Sequence, residues 1–394
     1  MATTPTVRRA LFALALVIRL AAIFATGAQT IRFGDGLDYV DTARALCTRH
    51  EYPERGSLPF FRAPALPFFI DAVTACHPSA TVMIKAALAV CDSLTVVLIA
   101  ELSAAPWLAG LIAALNPFFI AGVCDVRSEP LFMLLLTLAI WSVMRGREGT
   151  AGVGLGLAAL TRPAALLCIP LFALWRPRRA HILLAASVLT LAPWAVRNAL
   201  RFHEPIVVND AGGFNFWRGY SPDIIAIDAM TDREAIARAS WELDARGVTT
   251  ARQTIERGLT TPEARSRAWF RAGLDEIRSD PPRAVRWTLR KAWLYWRPWL
   301  SPSQYSWPAV LASGGFNLVL YAAAALALWR RPDDRFVRGV LLFFVVMWLA
   351  QVPYQVVMRF RQPFTDPLLI ALAAGALASR PRAAYPSASG VTAV

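Results

Sequence analysis

The feature that most constrains this chain is a series of apolar runs long enough to cross a bilayer. They fall near 10–28, 81–102, 104–123, 129–144, 181–200, 307–329, 337–357 and 363–379. Roughly 20 apolar residues in a helix span the ~30 Å of hydrocarbon, and backbone in that medium must satisfy its own polar groups, so such runs fold as helices. With 56% hydrophobic residues, 17% charged residues and 14 Trp in 394 positions, an ordinary soluble domain is excluded. The expected fold class is an all-α integral membrane bundle.

The net charge of +14 does not point to nucleic acid. Lys85 and Lys291 are the only lysines, and the arginine runs RR (8–9), RGRE (145–148), RPRR (176–179), RRPDDR (330–335) and RPR (380–382) are short and close apolar segments. That is the positive-inside pattern, and it excludes a nucleic-acid surface. It also decides how 151–175 is read. As one helix, the segment would put RPRR on the opposite side from RGRE; as two short helices hinged at TRP (161–163), it keeps all five runs on one side. The expectation is therefore about ten transmembrane helices with both termini cytoplasmic. The first run carries Arg19 at its centre, which fits a retained anchor better than a cleaved signal peptide.

This topology divides the chain into an N-terminal transmembrane region (1–200) with a first outer loop (29–80), an outer-face cap (201–306), C-terminal transmembrane helices (307–380) and a disordered tail (381–394). The first loop is expected to carry juxtamembrane helices, one starting near Asp38 and one around FFRAPALPFFIDAV. The cap reads as mainly α-helical, without an evident core of its own and with a short extended piece at PIVVND (205–210). Its end, 280–300, interleaves Arg286, Arg290, Lys291 and Arg297 with Trp287, Trp293, Trp296 and Trp299, a belt suited to anchoring at headgroups.

Five cysteines (47, 76, 91, 124, 168) and four histidines (50, 77, 181, 203) show no metal or haem spacing. Cys47, Cys76 and Cys124 share the outer side; a small apolar role is expected for each, with a disulfide as the alternative. No nucleophile elbow, zinc-protease motif or phosphate loop is present. Mid-membrane Arg19 and Asp92 are expected to pair, Lys85 to snorkel outward, and GVGLG (152–156) to form a small-residue packing face.

Three constellations remain. RFGDGLDYVDTARAL (32–46) sets Asp35, Asp38 and Asp41 three apart. One acid can cap the following helix, yet three exceed what a cap needs. CDVRSEPLF (124–132) crowds Asp125, Arg127 and Glu129 into a short turn; Glu129 reads either as a helix-start acid before Pro130 or as a second carboxylate facing Asp35 at one membrane depth. The third is basic: Arg62 in FRAP, Arg162 in LTRP, and Arg359 and Arg361 in RFRQP lie at outer helix ends, where the charge rule places few arginines. A guanidinium fork suits phosphate, and the hinge puts Arg162 inside the bundle.

These residues resemble the GT-C integral-membrane glycosyltransferases that take sugars from polyprenyl phosphate, the group containing protein O-mannosyltransferases and the aminoarabinose transferase of lipid A. Within it the chain looks most like the bacterial dolichyl-phosphate-mannose-protein mannosyltransferase-like, or Rgt-like, family. DGLDY supplies the family's loop Asp as Asp35 and its Tyr as Tyr39, with Gly36 where a Glu often follows the Asp. FRAP offers Arg62, and SEP offers Glu129 as the second acid. LTRP, GGFNFWRG (212–219) and RFRQP look like its hinge, cap and last-loop patterns; the soluble C-terminal domain of some members is missing.

The resemblance implies a GT-C-type bundle on the bacterial inner membrane with its site on the periplasmic face. It implies sugar transfer from a polyprenyl-phosphate donor to an acceptor hydroxyl, with inversion. Asp35 would be the general base, Glu129 the second catalytic acid, and Asp38, Tyr39, Arg62, Arg127, Arg162, Arg359 and Arg361 would bind substrate. No cofactor is expected; a divalent ion held by Asp35 and Glu129 stays an open alternative, which two carboxylates without further ligands support only weakly. The acceptor, whether glycan, lipid or protein, is not specified. The alternatives are a transporter or lipid flippase, whose charges would cluster at mid-membrane in pseudo-symmetric halves, and a non-catalytic scaffold.

Overall fold

The computed structural model describes residues 3–32, 34–54, 59–77, 80–222, 249–302, 305–331, 333–354, 356 and 358–378. The expected tail and part of the expected cap (223–248) lie outside these residues. Among those described, the regular elements are all helical. They run α1 (Pro5–Thr26), α2 (Gly34–Arg49), α3 (Ala65–Thr74), α4 (Thr81–Leu102), α5 (Pro106–Ala114), α6 (Pro117–Val123), α7 (Glu129–Met144), α8 (Glu148–Thr161), α9 (Cys168–Trp175), α10 (Ala180–Phe202), α11 (Ala211–Arg218), α12 (Pro262–Ser279), α13 (Pro281–Trp296), α14 (Trp307–Arg330), α15 (Arg335–Gln351) and α16 (Met358–Leu377). The protein is an all-α integral membrane protein. Four helices (α1, α4, α10 and α14) are each long and apolar enough to cross a bilayer, and α5 with α6 make a fifth bent by 52°. Ten crossings would need α7, α8, α9, α15 and α16 as spans as well.

Local chemistry sets the breaks. Pro117 lacks an N–H and disfavours helix at the residue before it, so the run expected as one span at 104–123 splits there. Asn116 restarts the helix by accepting from the Phe118 and Phe119 amides. The hinge expected at TRP is present: α8 stops at Thr161, Arg162 is extended (φ −143°, ψ 114°), and a 3-10 turn at Pro163–Leu167 leads into α9.

The GVGLG face packs as expected. A Cβ on Gly152 would lie 2.3 Å from the Leu183 carbonyl and one on Gly156 2.6 Å from Thr190 Cβ, so α8 and α10 touch backbone to backbone there. The most enclosed element is α16, where every residue from Arg361 to Ala376 is buried.

Buried charges inside the bundle are locked. The Arg19 guanidinium pairs with Asp92 and also donates to the carbonyls of Ala15, Ala113 and Ala114. Lys85 does not reach headgroups, which corrects the snorkelling expectation: it is fully buried, and Nζ donates to the Gly27 and Thr30 carbonyls at the end of α1. These contacts hold helices together.

Three further expectations are corrected. Cys47 and Cys76 form a disulfide that ties the end of α2 to the end of α3. The cap has aromatic cores of its own, one of Phe214, Trp217 and Trp269 joined by Phe60 from the first loop, the other of Phe216, Tyr220 and Trp287. Residues 205–210 form no strand; the Ile206 and Val208 carbonyls instead accept from Asn198 and Trp194 on α10. The tryptophan belt is divided as well, with Trp287 buried in the cap and Trp293 exposed.

Candidate active site

Asp35 sits in the first turn of α2, shortly after the C-terminal end of α1. The Asp125 carboxylate brings it there, accepting from the Arg32 and Val126 amides and so tying the α1–α2 connection to the turn before α7. Gly36 lies at the crossing of these two segments. A Cβ there would be 2.9 Å from the Val126 carbonyl and 2.7 Å from Ile31 Cγ2, so no glutamate side chain has room at this position.

Around Asp35 the structure assembles three carboxylates and three guanidiniums in alternation. Arg62 bonds Asp38 (2.6 Å) and Asp35 (2.9 Å) through one nitrogen. Arg359 bonds the other Asp35 oxygen at 2.6 Å and reaches Glu129 at 3.8 Å. Arg162 closes the row on Glu129 at 3.1 Å. Asp35 and Glu129 therefore share one guanidinium and belong to one site, though they start 94 residues apart in sequence.

The members differ in access. The side chains of Asp35 and Arg359 are 30% and 32% exposed, whereas those of Arg62 and Asp38 are 9% and 10% exposed. The open part of the row is thus its middle, Asp35–Arg359. Arg62 is held in place by aromatic faces, with its guanidinium 5.2 Å from the Tyr39 ring centre and 5.5 Å from that of Phe60. Arg162 lies similarly against Phe132 and Phe360. Burial alone would push the Asp35 carboxyl up, but Arg62 and Arg359 outweigh it and hold it well below the usual carboxylate range.

Of the nine expected site residues, Asp35, Asp38, Arg62, Glu129, Arg162 and Arg359 are joined directly, and Tyr39 stacks on Arg62. Arg127 lines a small cavity of about 40 Å³ with Glu129 and Arg359. Asp38 does not cap α2, because the helix begins at Gly34 and the carboxylate turns to Arg62 instead. Asp41 is exposed beside Arg44. Arg361 is not brought to the row: it is fully buried, pairs with Asp366 at 3.3 Å and faces the rings of Tyr321 and Trp296.

An apolar cavity of about 720 Å³ opens beside the row between α2, α3, α7, α8 and α10. Leu46, Phe69, Leu135, Leu160 and Trp194 contribute to its walls. Tyr52 links the two regions, since its ring lines the cavity while its hydroxyl donates to the Arg62 carbonyl at 2.7 Å. Leu131, two residues beyond Glu129, lines it from α7.

Sequence reading missed the cap residues that touch this region. The buried Asp210 carboxylate accepts from the Phe61 amide at 3.2 Å, and burial pushes its carboxyl up to about 7. Lys291, expected at headgroups, is buried against the Tyr220 ring and donates to the Gly219 and Tyr354 carbonyls; burial brings its ammonium down to about 7. In the sequence, Asp210 appeared only as the last residue of PIVVND and Lys291 only as a member of the tryptophan belt, and neither position signalled these contacts.

Among the described residues, one group of three ligand-type side chains meets the spacing of a metal site, Cys47, Asp71 and Cys76, and its two thiols are joined in the disulfide. The carboxylates of the row are paired to guanidiniums, an environment that favours an anion over a metal cation.

No protein family and no curated protein matches the chain. Two solved structures are similar in layout. ArnT from Cupriavidus metallidurans bound to undecaprenyl phosphate aligns with 95% of this chain and 78% of its own at 14% identity and a TM-score of 0.41. The apo form of ArnT from the same organism aligns with 93% and 76%, also at 14% identity, with a TM-score of 0.38.

Proposed function

We propose that this chain is a GT-C-type glycosyltransferase of the bacterial inner membrane. It transfers a sugar from a polyprenyl-phosphate donor to an acceptor hydroxyl on the outer face, with inversion. The observation that carries this reading is an open carboxylate gripped by two guanidiniums, with an apolar cavity of about 720 Å³ joined to the Arg62 segment through Tyr52. The cavity accommodates a prenyl chain, and the guanidiniums suit the phosphate at its head.

The chemistry follows from the charges. The acceptor oxygen attacks the anomeric carbon, the bond from that carbon to the phosphate oxygen breaks, and the hydroxyl proton passes to Asp35. Arg62 and Arg359 offset the charge that develops on the leaving phosphate. Base and leaving group on opposite faces of the sugar give inversion. A carboxylate held by two arginines is a weak base, so the donor does two things on arrival: its phosphate takes over the guanidiniums, and Asp35, relieved of them, becomes basic. Glu129 keeps Arg162 and Arg359 aligned toward the phosphate.

The test is transfer itself. Membranes carrying the full chain are incubated with radiolabelled polyprenyl-phosphate sugars and candidate lipid, glycan and protein acceptors, and compared with membranes carrying Asp35→Asn. The expected result is transfer by the wild type and a loss of roughly 10²- to 10⁴-fold in the variant. Equal transfer by both removes Asp35 from the base role.

A further inference from the structure

The two guanidiniums that grip Asp35 reach it from opposite ends of the chain. Arg62 follows the first-loop segment 59–61, and Arg359 comes shortly after the segment 352–354 that follows α15. The first is hydrogen-bonded to one end of the cap helix α11, and the second packs against its other end, with Lys291 bridging them.

At the start of α11, Asp210 occupies the N-cap position but makes no side-chain cap to its own helix. Its carboxylate turns outward and accepts from the Phe61 amide, one residue before Arg62. The flanking Phe60 ring packs on Phe214 of α11 at 5.6 Å, while Phe61 packs on Phe202 of the membrane bundle at 5.5 Å. The Arg62 segment is thus clamped between cap and bundle. At the end of α11, the Gly219 carbonyl accepts from Trp287 Nε1 (2.9 Å) and Lys291 Nζ (3.0 Å), and the same Nζ donates to the Tyr354 carbonyl. A Cβ on Gly219 would lie 2.8 Å from the Pro353 oxygen and from the Tyr354 carbonyl carbon. Cap backbone and the Arg359 segment are therefore in direct contact.

Between these ends α11 has little freedom. The Gly213 amide donates to Ser266 Oγ on α12 at 3.1 Å, and a Cβ on Gly213 would collide with the Ser266 carbonyl at 1.7 Å. Gly273 of α12 likewise admits Phe216 and Trp217 so closely that a Cβ would meet them at 2.7 and 3.0 Å. Eight residues of helix fixed in this way span a distance of ~12 Å.

We propose that α11 is a strut that sets the spacing of Arg62 and Arg359, so that Asp210 and Lys291 are positioning residues for the guanidinium pair. Neither touches the carboxylate row; each acts through a backbone segment. A molecule that shifts α11, such as an acceptor docking on the cap, would alter both grips on Asp35 at once. What the gripped carboxylate does rests on the glycosyl-transfer reading, whereas the strut itself does not.

Backbone hydrogen exchange on the full chain in lipid nanodiscs tests the strut without reference to catalysis. Asp210→Ala removes the acceptor of the Phe61 amide, and exchange at 59–62 is expected to rise roughly five- to tenfold. The strut further requires a rise at 352–354, the far end, and Asp210→Asn, which keeps an acceptor oxygen, restores both segments. Trp287→Phe, a milder change that removes one donor to Gly219, is expected to loosen 352–354 and then 59–62. Loosening confined to the mutated end in both variants overturns the proposal, as does no change at 59–62 in Asp210→Ala. Undecaprenyl phosphate binding by the same preparations gives the functional arm: the strut variants weaken it severalfold, with Asp210→Asn near wild type. Normal coupled exchange with no phosphate binding by the wild type would leave the strut standing and remove the transferase reading.

Discussion

Substituting Asp35 by Asn separates its two proposed roles, because they carry opposite signs. In the resting site the Asp35 carboxylate occupies both Arg62 and Arg359, at 2.9 and 2.6 Å. A donor phosphate must displace it from both. With charge centres about 4 Å apart and an effective dielectric near 20, each attraction is worth about 4 kcal/mol in gross terms. Asp35 and Arg359 are both about a third exposed, and rehydration and screening bring the net value of each pair to about 1 kcal/mol. Removing the charge therefore spares the phosphate about 2 kcal/mol, which corresponds to roughly thirtyfold tighter binding. The assay is a titration of the full chain in nanodiscs with undecaprenyl phosphate at fixed low salt, run on wild type and Asp35→Asn. Tighter binding together with lost transfer supports both roles. Binding that weakens in the variant would refute the claim that Asp35 competes with phosphate for these guanidiniums, whatever happens to turnover.

Arg361→Met is expected to destabilise the fold by about 3–5 kcal/mol, because it leaves the fully buried Asp366 carboxyl without its guanidinium partner. Undecaprenyl phosphate affinity should stay within about twofold, and thermal melting with a binding titration checks both. Replacing Cys47 and Cys76 by Ser removes a crosslink between residues 29 apart; the loop-closure argument gives a loss of about 3–4 kcal/mol, read as a lowered melting point of the oxidised protein. The cap should be least stable near pH 7. Asp210, beside Arg265 and Glu256, has its folded pKa raised to about 7, so its contribution is present at acid pH and is lost as pH rises toward 7. Lys291, buried against the Tyr220 ring, has its folded pKa lowered to about 7, so its contribution is present at alkaline pH and is lost as pH falls toward 7. Each limb can slope by up to about 1.4 kcal/mol per pH unit. Hydrogen exchange in α11 and α12 across pH 5–9, corrected for intrinsic rates, should show this minimum, with the acid limb abolished in Asp210→Asn.

How far the site could be read from sequence depended on whether position along an element decided the contact. Asp35, Glu129 and Arg162 were legible because each sits at a helix end or hinge that topology sends to one rim. Arg359 and Arg361 were read together as one loop. They lie two apart inside α16, where such residues point to nearly opposite faces, so one reaches Asp35 and the other Asp366. A helix cap was one of two readings open to Asp38 because the start of α2 was placed four residues late, and boundaries are the weakest part of any pattern reading. The Cys47–Cys76 bond, Asp210 and Lys291 depend on how separate segments fold onto one another, and local sequence carries no record of that. Much of the bundle was legible, since hydrophobic run length marks its helices and Pro163 its hinge without tertiary knowledge, whereas the break at Pro117 was read through as one span.

The Arg19–Asp92 pair has a consequence for how the chain is made. A lone arginine at the centre of a nascent span disfavours its release into lipid by about 2.5–3.5 kcal/mol on insertion scales, and here its carboxylate partner is 73 residues further on. The first helix is therefore expected to linger at the insertion machinery until α4 emerges with Asp92, and to enter the bilayer as half of a hairpin-like pair rather than alone. On the proposed topology, the segment between them, which holds Asp35, Asp38 and Arg62 and the two cysteines of the bridge, is by then already on the far side of the membrane. The outer half of the site can thus be oxidised and paired before the arginines of α16 have been synthesised.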